Sequence, residues 1–258
     1  MKSEEEKYWN TRSQTYSELD AIGKRPAYSI VPIVKNFGLS HPFILDVGCG
    51  PGIVTKIVRE NIRHSNVIGI DLSPKMIEIA RRNILPGLWF IQADFLGDFA
   101  VKYMSGHTDL VLMSLFIHHL VDGTDRKALL MANEILKKDG HILIAEAVPP
   151  EDDVLEEYEY MFSIKENRNC YTKDKLISLL RGAGFVGMGF TSYRFDLRLS
   201  NWLNDRTLSK SEKKILWHLH VYGSERWKEA YNMRPLPGGD YLLSCKMCLV
   251  WGQKKDAL

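Results

Sequence analysis

Asp46-Val47-Gly48-Cys49-Gly50-Pro51-Gly52 lies between a short apolar run, Phe43 to Val47, and a helical pattern from Gly52 to Arg63 in which Ile53, Ile57 and Val58 recur at helical spacing. Glycines at a strand-to-helix turn let the main chain adopt angles that side chains forbid and come close to a ligand. The helix that follows presents unpaired N–H groups to an acidic group. A nucleotide dehydrogenase spaces such glycines G-x-G-x-x-G. Counted from Gly48, the third would fall on Ile53, so that reading fails. The sequence has D-x-G-x-G-x-G instead, with its last glycine one residue early.

On the C-terminal side of this turn, strand-like and helical patterns alternate. Val67 to Asp71 reads as a second strand, and Ser73-Pro74 as an N-cap with proline at the first helical position. Met76, Ile79 and Ala80 mark the buried face of that helix. Trp89 to Asp94 and Asp109 to Met113 read as the third and fourth strands. A helix through Leu129, Ile135 and Leu136 and the turn Lys138-Asp139-Gly140 lead to a fifth strand, His141 to Glu146. Strands separated by helices imply right-handed crossovers, hence a doubly wound α/β core with a mostly parallel sheet. After Val148, Thr172 to Gly184 reads as a helix, Phe185 to Phe195 and Tyr241 to Gly252 as strands. The span between those strands, residues 199–237, has a helical pattern around Ser211 to His220 and is read as a helical cap. Residues 1–40 are read as an N-terminal helical lid segment, and 41–258 as one domain that includes the cap.

The 258 residues are 45% hydrophobic and 26% charged, ordinary for a globular chain and long enough for a substantial core. Thirty-four Lys and Arg against 32 Asp and Glu leave +2, too little to suggest a dedicated nucleic-acid or membrane-surface binder. Four cysteines do not make a disulfide framework. Cys245 and Cys248 form a C-x-x-C, but their flanks read as a strand, where positions three apart face opposite ways. No second pair completes a site, so no metal is expected. The acidic start lacks an apolar signal region, and no apolar stretch is long enough to span a bilayer, so a cytoplasmic setting is the expectation.

Taken together, the glycine turn, Asp71 at the end of the second strand, Ala93-Asp94-Phe95 after the third, Ser114 to Leu120 after the fourth and Leu136 to Gly140 before the fifth resemble the class I S-adenosylmethionine-dependent methyltransferases. The resemblance runs from about Tyr8 to at least Glu146, with Tyr171 to Phe185 similar to the segment leading to that family's sixth strand. It implies a seven-stranded, Rossmann-like methyltransferase fold, with a parallel sixth strand and an antiparallel seventh. It implies S-adenosyl-L-methionine as cofactor, with Asp71 accepting both ribose hydroxyls, and Asp94 and the Phe95 N–H at the adenine. Gly48, Gly50 and Gly52 would leave room for the methionine moiety, and Asp46 would shape the loop and direct negative charge towards the amine or sulfonium. Cys49, Leu72, Met76 and Ser114 complete the cofactor set.

The implied activity is methyl transfer by in-line displacement to a small-molecule acceptor, with His119 and His118 as candidate bases or substrate contacts. A structural role for the histidine pair stays open. The acceptor is expected under the cap, with Tyr16, Tyr28, Trp202, Trp217 and Tyr222 as candidate contacts, although aromatics there can equally serve packing. The alternatives are an RNA or other nucleic-acid methyltransferase and a catalytically silent S-adenosylmethionine-binding protein. Enzymes attacking an exocyclic base amine carry Asn/Asp-Pro-Pro-aromatic after the fourth strand, where this chain reads Ser114-Leu115-Phe116-Ile117.

Overall fold

The computed structural model describes residues 20–205 and 207–255. From the N-terminal side, the chain runs α1 (Asp20–Asn36), β1 (Phe43–Val47), α2 (Ile53–Asn61), β2 (Asn66–Asp71), α3 (Pro74–Ala80), β3 (Leu88–Gln92), α4 (Asp98–Met104), β4 (Thr108–Ser114), α5 (Thr124–Ile135) and β5 (Leu136–Val148). It continues through α6 (Leu155–Lys165), α7 (Lys173–Gly182), β6 (Phe185–Arg198), α8 (Leu199–Trp202), α9 (Lys210–Tyr222), α10 (Glu225–Ala230), β7 (Arg234–Pro235) and β8 (Tyr241–Lys254). Strand order is β3-β2-β1-β4-β5-β8-β6. The pairs among β1 to β5 are parallel, and β8 is antiparallel to both β5 and β6, so β6 runs with the parallel set. This is the doubly wound architecture expected from the alternation. Among the described residues, a two-residue β7 paired with β8 brings the seven expected strands to eight.

The central parallel strands β1 to β5 are mainly apolar because helices cover both faces of the sheet, with Asp46 in β1 and Glu146 in β5 as buried exceptions. Successive residues go to opposite layers. Leu45, Val47, Val111 and Met113 meet α5 and α7 through Leu129, Ala132, Leu176 and Leu180. Ile44, Leu110 and Leu112 meet α1, α2 and α3 through Ile30, Val34, Val58 and Ile77. The α1 residues Ala27, Ile30, Val31 and Val34 follow helical spacing and are all buried. Each larger one contributes about 1.5–3 kcal/mol of burial. This part of the expected N-terminal lid is therefore a core helix of the domain. Tyr28, on its outer face, is 61% exposed, and Tyr16 lies outside the described residues.

A third apolar cluster belongs to the cap. Tyr158, Met161 and Phe162 of α6 pack with Leu199, Leu216, Trp227, Tyr231 and Leu243. Among the described residues, the region read as 199–237 holds α8, α9, α10 and β7, and it closes on α6, which the sequence reading did not assign. Cys245 belongs to this cluster and Cys248 to the cluster under α5 and α7, on the other sheet face.

Candidate active site

Strand order changes direction between β1 and β4, the switch point beyond whose strand ends ligands bind in open α/β sheets. The glycine turn leaves β1 there. Asp71, at the end of β2, fixes it: one carboxylate oxygen accepts from the Gly50 N–H at 2.9 Å, the other from the Ser73 N–H at 2.8 Å. The Cys49 N–H donates to the Ile70 carbonyl at 3.0 Å. The Ser73 hydroxyl caps α3 by accepting from the Met76 N–H at 3.3 Å. Asp94 accepts from the Leu96 N–H at 2.9 Å, which sets the turn before α4.

The three glycines do different work. Gly50 has φ +52 and nothing within 4 Å of where a side chain would start. Gly48 has φ +67, and a Cβ there would sit 2.2 Å from the Phe116 ring. Gly52 has φ +81, and its Cβ would meet the Phe90 ring at 2.7 Å. Room for a ligand is thus left at Gly50, whereas Gly48 and Gly52 are glycines because protein packs on them. Gly52 does not line the groove. Asp46 is 1% exposed and also lies behind the loop, accepting from the Thr55 hydroxyl at 2.6 Å. Burial raises its carboxyl to about 7.

Beyond the loop is a groove with a cavity volume of about 770 Å³, lined by Gly48, Cys49, Gly50, Asp71, Leu72, Met76, Asp94, Phe95, Ser114 and His119, with Asp122 and Glu166 at its far side. Its charged lining residues are carboxylates, with no Lys or Arg among the described ones. Such a set suits a nucleoside with a cationic sulfonium and ammonium. It opposes the pyrophosphate of a dinucleotide.

A second, smaller cavity of about 130 Å³ adjoins the first, and Leu115 and Glu166 line both. Leu115 has φ +51, a left-handed conformation uncommon for leucine, and its N–H donates to the Ala145 carbonyl at 2.8 Å. The 3-10 turn Ile117–His119 then divides two consecutive histidines between the cavities. His119 lines the groove and His118 the smaller cavity, with ring centroids 3.8 Å apart. The His118 Nδ1 lies 2.8 Å from both carboxylate oxygens of Glu146, which is fully buried in β5. The Arg168 guanidinium reaches Glu146 at 3.3 Å and Glu166 at 3.4 Å, and stands 4.2 Å over the Phe162 ring. Burial lifts the Glu146 carboxyl to about 7 against the opposing pull of Arg168.

Of the expected aromatic contacts, Trp202 lines the smaller cavity, edge-on to Phe162 and His220. Trp217 packs against Tyr241 within the cap, and Tyr222 is 73% exposed beside His218. Neither lines the groove or the smaller cavity, nor does Tyr28. His220 is neutral: its Nδ1 donates to the Leu216 carbonyl at 2.8 Å, and burial lowers its pKa to about 4. The sequence reading missed Glu146, Arg168, Lys165, Asp205, Tyr158 and Phe162. A lone acid in the apolar run Ile142 to Val148 was a usable signal for Glu146. The others depend on α6 folding over the sheet.

A doubly wound α/β fold with an acidic groove at its switch point and an adjoining cavity is the architecture of the class I, S-adenosylmethionine-dependent methyltransferases. Comparison with known proteins agrees: residues 26–187 match the family described as a methyltransferase domain, and the chain belongs to that family. Trans-aconitate 2-methyltransferase of Acidovorax sp. (strain JS42) is 37% identical over 79 residues, 31% of this chain and 30% of that protein. The chain thus matches under a third of that relative's length. The YcgJ protein of Bacillus subtilis superposes with a TM-score of 0.75 at 17% identity, covering 90% of this chain and 99% of that one. Phosphoethanolamine N-methyltransferase 2 of Haemonchus contortus, solved with phosphomonomethylethanolamine and S-adenosylhomocysteine, superposes with a TM-score of 0.57 at 17% identity. That match covers 87% of this chain and 52% of the other.

Among the described residues, no helix is long and apolar enough to cross a membrane.

Proposed function

We propose that this chain transfers a methyl group from S-adenosylmethionine to a small-molecule acceptor held in the smaller cavity. The observation that carries this is the pair Leu115 and Glu166, which lines both the acidic groove and a smaller cavity of about 130 Å³. In the groove, Asp71 receives the ribose hydroxyls, and Asp94 with the Phe95 N–H receives the adenine. Leu72 and Met76 line the nucleoside's side. Gly48, Cys49 and Gly50 face the amino-acid tail, with Ser114 at the end of β4. Asp46 acts from behind by holding Thr55.

When bound, S-adenosylmethionine supplies an electrophilic methyl carbon on a cationic sulfur. The chain's share is to align the acceptor and exclude water, and alignment alone can lower a barrier by about 7–11 kcal/mol. Two cavities that share Leu115 and Glu166 support that role, because Trp202, Phe162 and Tyr158 give the smaller one apolar walls for an acceptor. The near-neutral chain argues against an acceptor within a nucleic-acid polymer.

The test incubates the protein and methyl-tritiated S-adenosylmethionine with an extract divided into low-molecular-weight, RNA and protein fractions. Label in the first fraction is expected. Label in RNA or protein alone, or no binding of S-adenosylhomocysteine, would refute the proposal.

A further inference from the structure

One corner of the smaller cavity collects buried polar groups that cofactor binding does not use. His220 and Tyr231 line that cavity and not the groove, and they are 1% and 4% exposed. The His220 Nδ1 lies 2.8 Å from the Leu216 carbonyl, which can only accept, so Nδ1 carries the proton. Burial keeps the imidazole neutral, and its acceptor lone pair therefore stands on Nε2. Burial likewise holds the Tyr231 hydroxyl protonated, able to donate. Among the described residues, neither His220 Nε2 nor the Tyr231 hydroxyl has a hydrogen-bond partner. The indole N–H of Trp227, packed on both rings at centroid distances of 5.5 and 4.7 Å, also lacks one among them. Tyr158, by contrast, donates its hydroxyl to the Ala147 carbonyl at 3.3 Å.

Buried polar groups are nearly always paired, and each unpaired one is costly. Here an acceptor and a donor stand open on rings whose centroids are 5.7 Å apart. They match a ligand group that both donates and accepts, which is the property of a hydroxyl. The charged side chains around them are already matched. Lys165 pairs with Asp205 at 3.4 Å, and Arg168 reaches Glu146 at 3.3 Å and Glu166 at 3.4 Å. Lys246 donates to the Pro150 carbonyl at 3.3 Å. A charged ligand would have to part a buried pair and leave one charge uncompensated, so the arrangement favours a neutral one. Phe162 and Trp202 give apolar walls, and the volume of about 130 Å³ is close to the roughly 150 Å³ of an apolar cavity that admits benzene.

Resting on the methyltransferase reading, we infer that His220 and Tyr231 are specificity-determining residues that hold a hydroxyl of a neutral, single-ring acceptor at its end away from the cofactor. The ligand hydroxyl donates to His220 Nε2 and accepts from the Tyr231 hydroxyl. Leu115 and Glu166, which line both cavities, stand at the acceptor's other end, where the methyl group arrives. The cap thus selects its substrate by neutral hydrogen bonds and not by charge.

The test applies phenol, toluene, benzoate and benzylamine as ring-sized probes to the full chain, with and without S-adenosylhomocysteine. In calorimetry phenol should bind more tightly than toluene, against their order of hydrophobicity, and more tightly than either charged probe. Tyr231→Phe should weaken phenol about tenfold and leave toluene within twofold. The same variant should melt no lower than wild type, because it removes a buried hydroxyl that has no protein partner. A lower Tm would mark a structural hydrogen bond at that hydroxyl and overturn the inference. In histidine nitrogen NMR, His220 Nε2 should be unprotonated and should shift as a hydrogen-bond acceptor does when phenol is added, but not with toluene. A protonated Nε2, phenol binding no tighter than toluene, or tighter binding of benzoate or benzylamine also overturns it. An ordered water alone between the two side chains in phenol-soaked crystals does the same. Any of these results with S-adenosylhomocysteine still bound leaves the methyltransferase reading standing. No S-adenosylhomocysteine binding, with the phenol preference intact, overturns that reading and with it the occupant's role as methyl acceptor.

Discussion

Replacing Asp71 with Ala separates the two tasks assigned to its carboxylate. On the protein side, its oxygens accept from the Gly50 and Ser73 N–H groups at 2.9 and 2.8 Å, so the free protein should lose stability. Two partly exposed charge-assisted bonds put that loss at about 1–3 kcal/mol, or roughly 2–12 °C in Tm for a chain of this size. On the ligand side, two ribose hydroxyls donating to a carboxylate are worth about 3–6 kcal/mol before water takes their place. Water can enter this half-exposed rim, so the net loss in affinity is about 2–4 kcal/mol, or 30- to 1000-fold in Kd. Titration calorimetry with S-adenosylhomocysteine reads the second effect, and thermal unfolding of the free protein reads the first. An analogue lacking the 2′ and 3′ hydroxyls distinguishes ribose contact from loop distortion: it should bind wild type weakly and Asp71→Ala no more weakly than the parent ligand does. A Kd for Asp71→Ala within twofold of wild type, or an equal penalty from the analogue in both proteins, would refute the ribose assignment.

Burial raises both Asp46 and Glu146 to about 7, so their protonated forms favour the native state. The stability they contribute is fully present below their unfolded values and is lost as pH rises through 7. Asp46→Asn keeps an acceptor for Thr55 and removes that dependence. Relative to wild type it should gain about 2–3 kcal/mol between pH 5 and pH 8 in denaturant unfolding, and a pH-independent difference would contradict the burial argument. Gly48→Ala should lower Tm and weaken S-adenosylhomocysteine binding together, because its Cβ must displace the Phe116 ring and hold φ near +67. That strain is about 1–3 kcal/mol; an unchanged melting curve would refute it.

The sheet was legible because β1 to β4 are short, mainly apolar runs followed by turn signals, and Ser73-Pro74 stands at a helix cap as expected. The groove was partly legible: Asp71, Asp94 and Ser114 sit at or just after strand ends, which sequence locates to within a residue or two, whereas Glu166 and Asn167 reach it from the segment after α6. The acceptor cavity was not. Its walls come mainly from α6, β6, α8, α9 and β8, brought together only by tertiary packing, and α6 carries the exposed Tyr160 among its buried Tyr158, Met161 and Phe162, which blurs the stripe in sequence. Trp202, Trp217 and Tyr222 look alike in sequence, yet packing sends one to the cavity, one to the cap interior and one to solvent. The histidine pair was visible, but its division between two cavities rests on the 3-10 turn after Leu115.

A crystal structure of the protein soaked with S-adenosylhomocysteine would test the account most directly. The ribose should rest on Asp71 and the sulfur should face the boundary shared by Leu115 and Glu166, open towards His118. A sulfur turned away from that boundary, or a nucleoside seated anywhere other than beside Gly50, would contradict it.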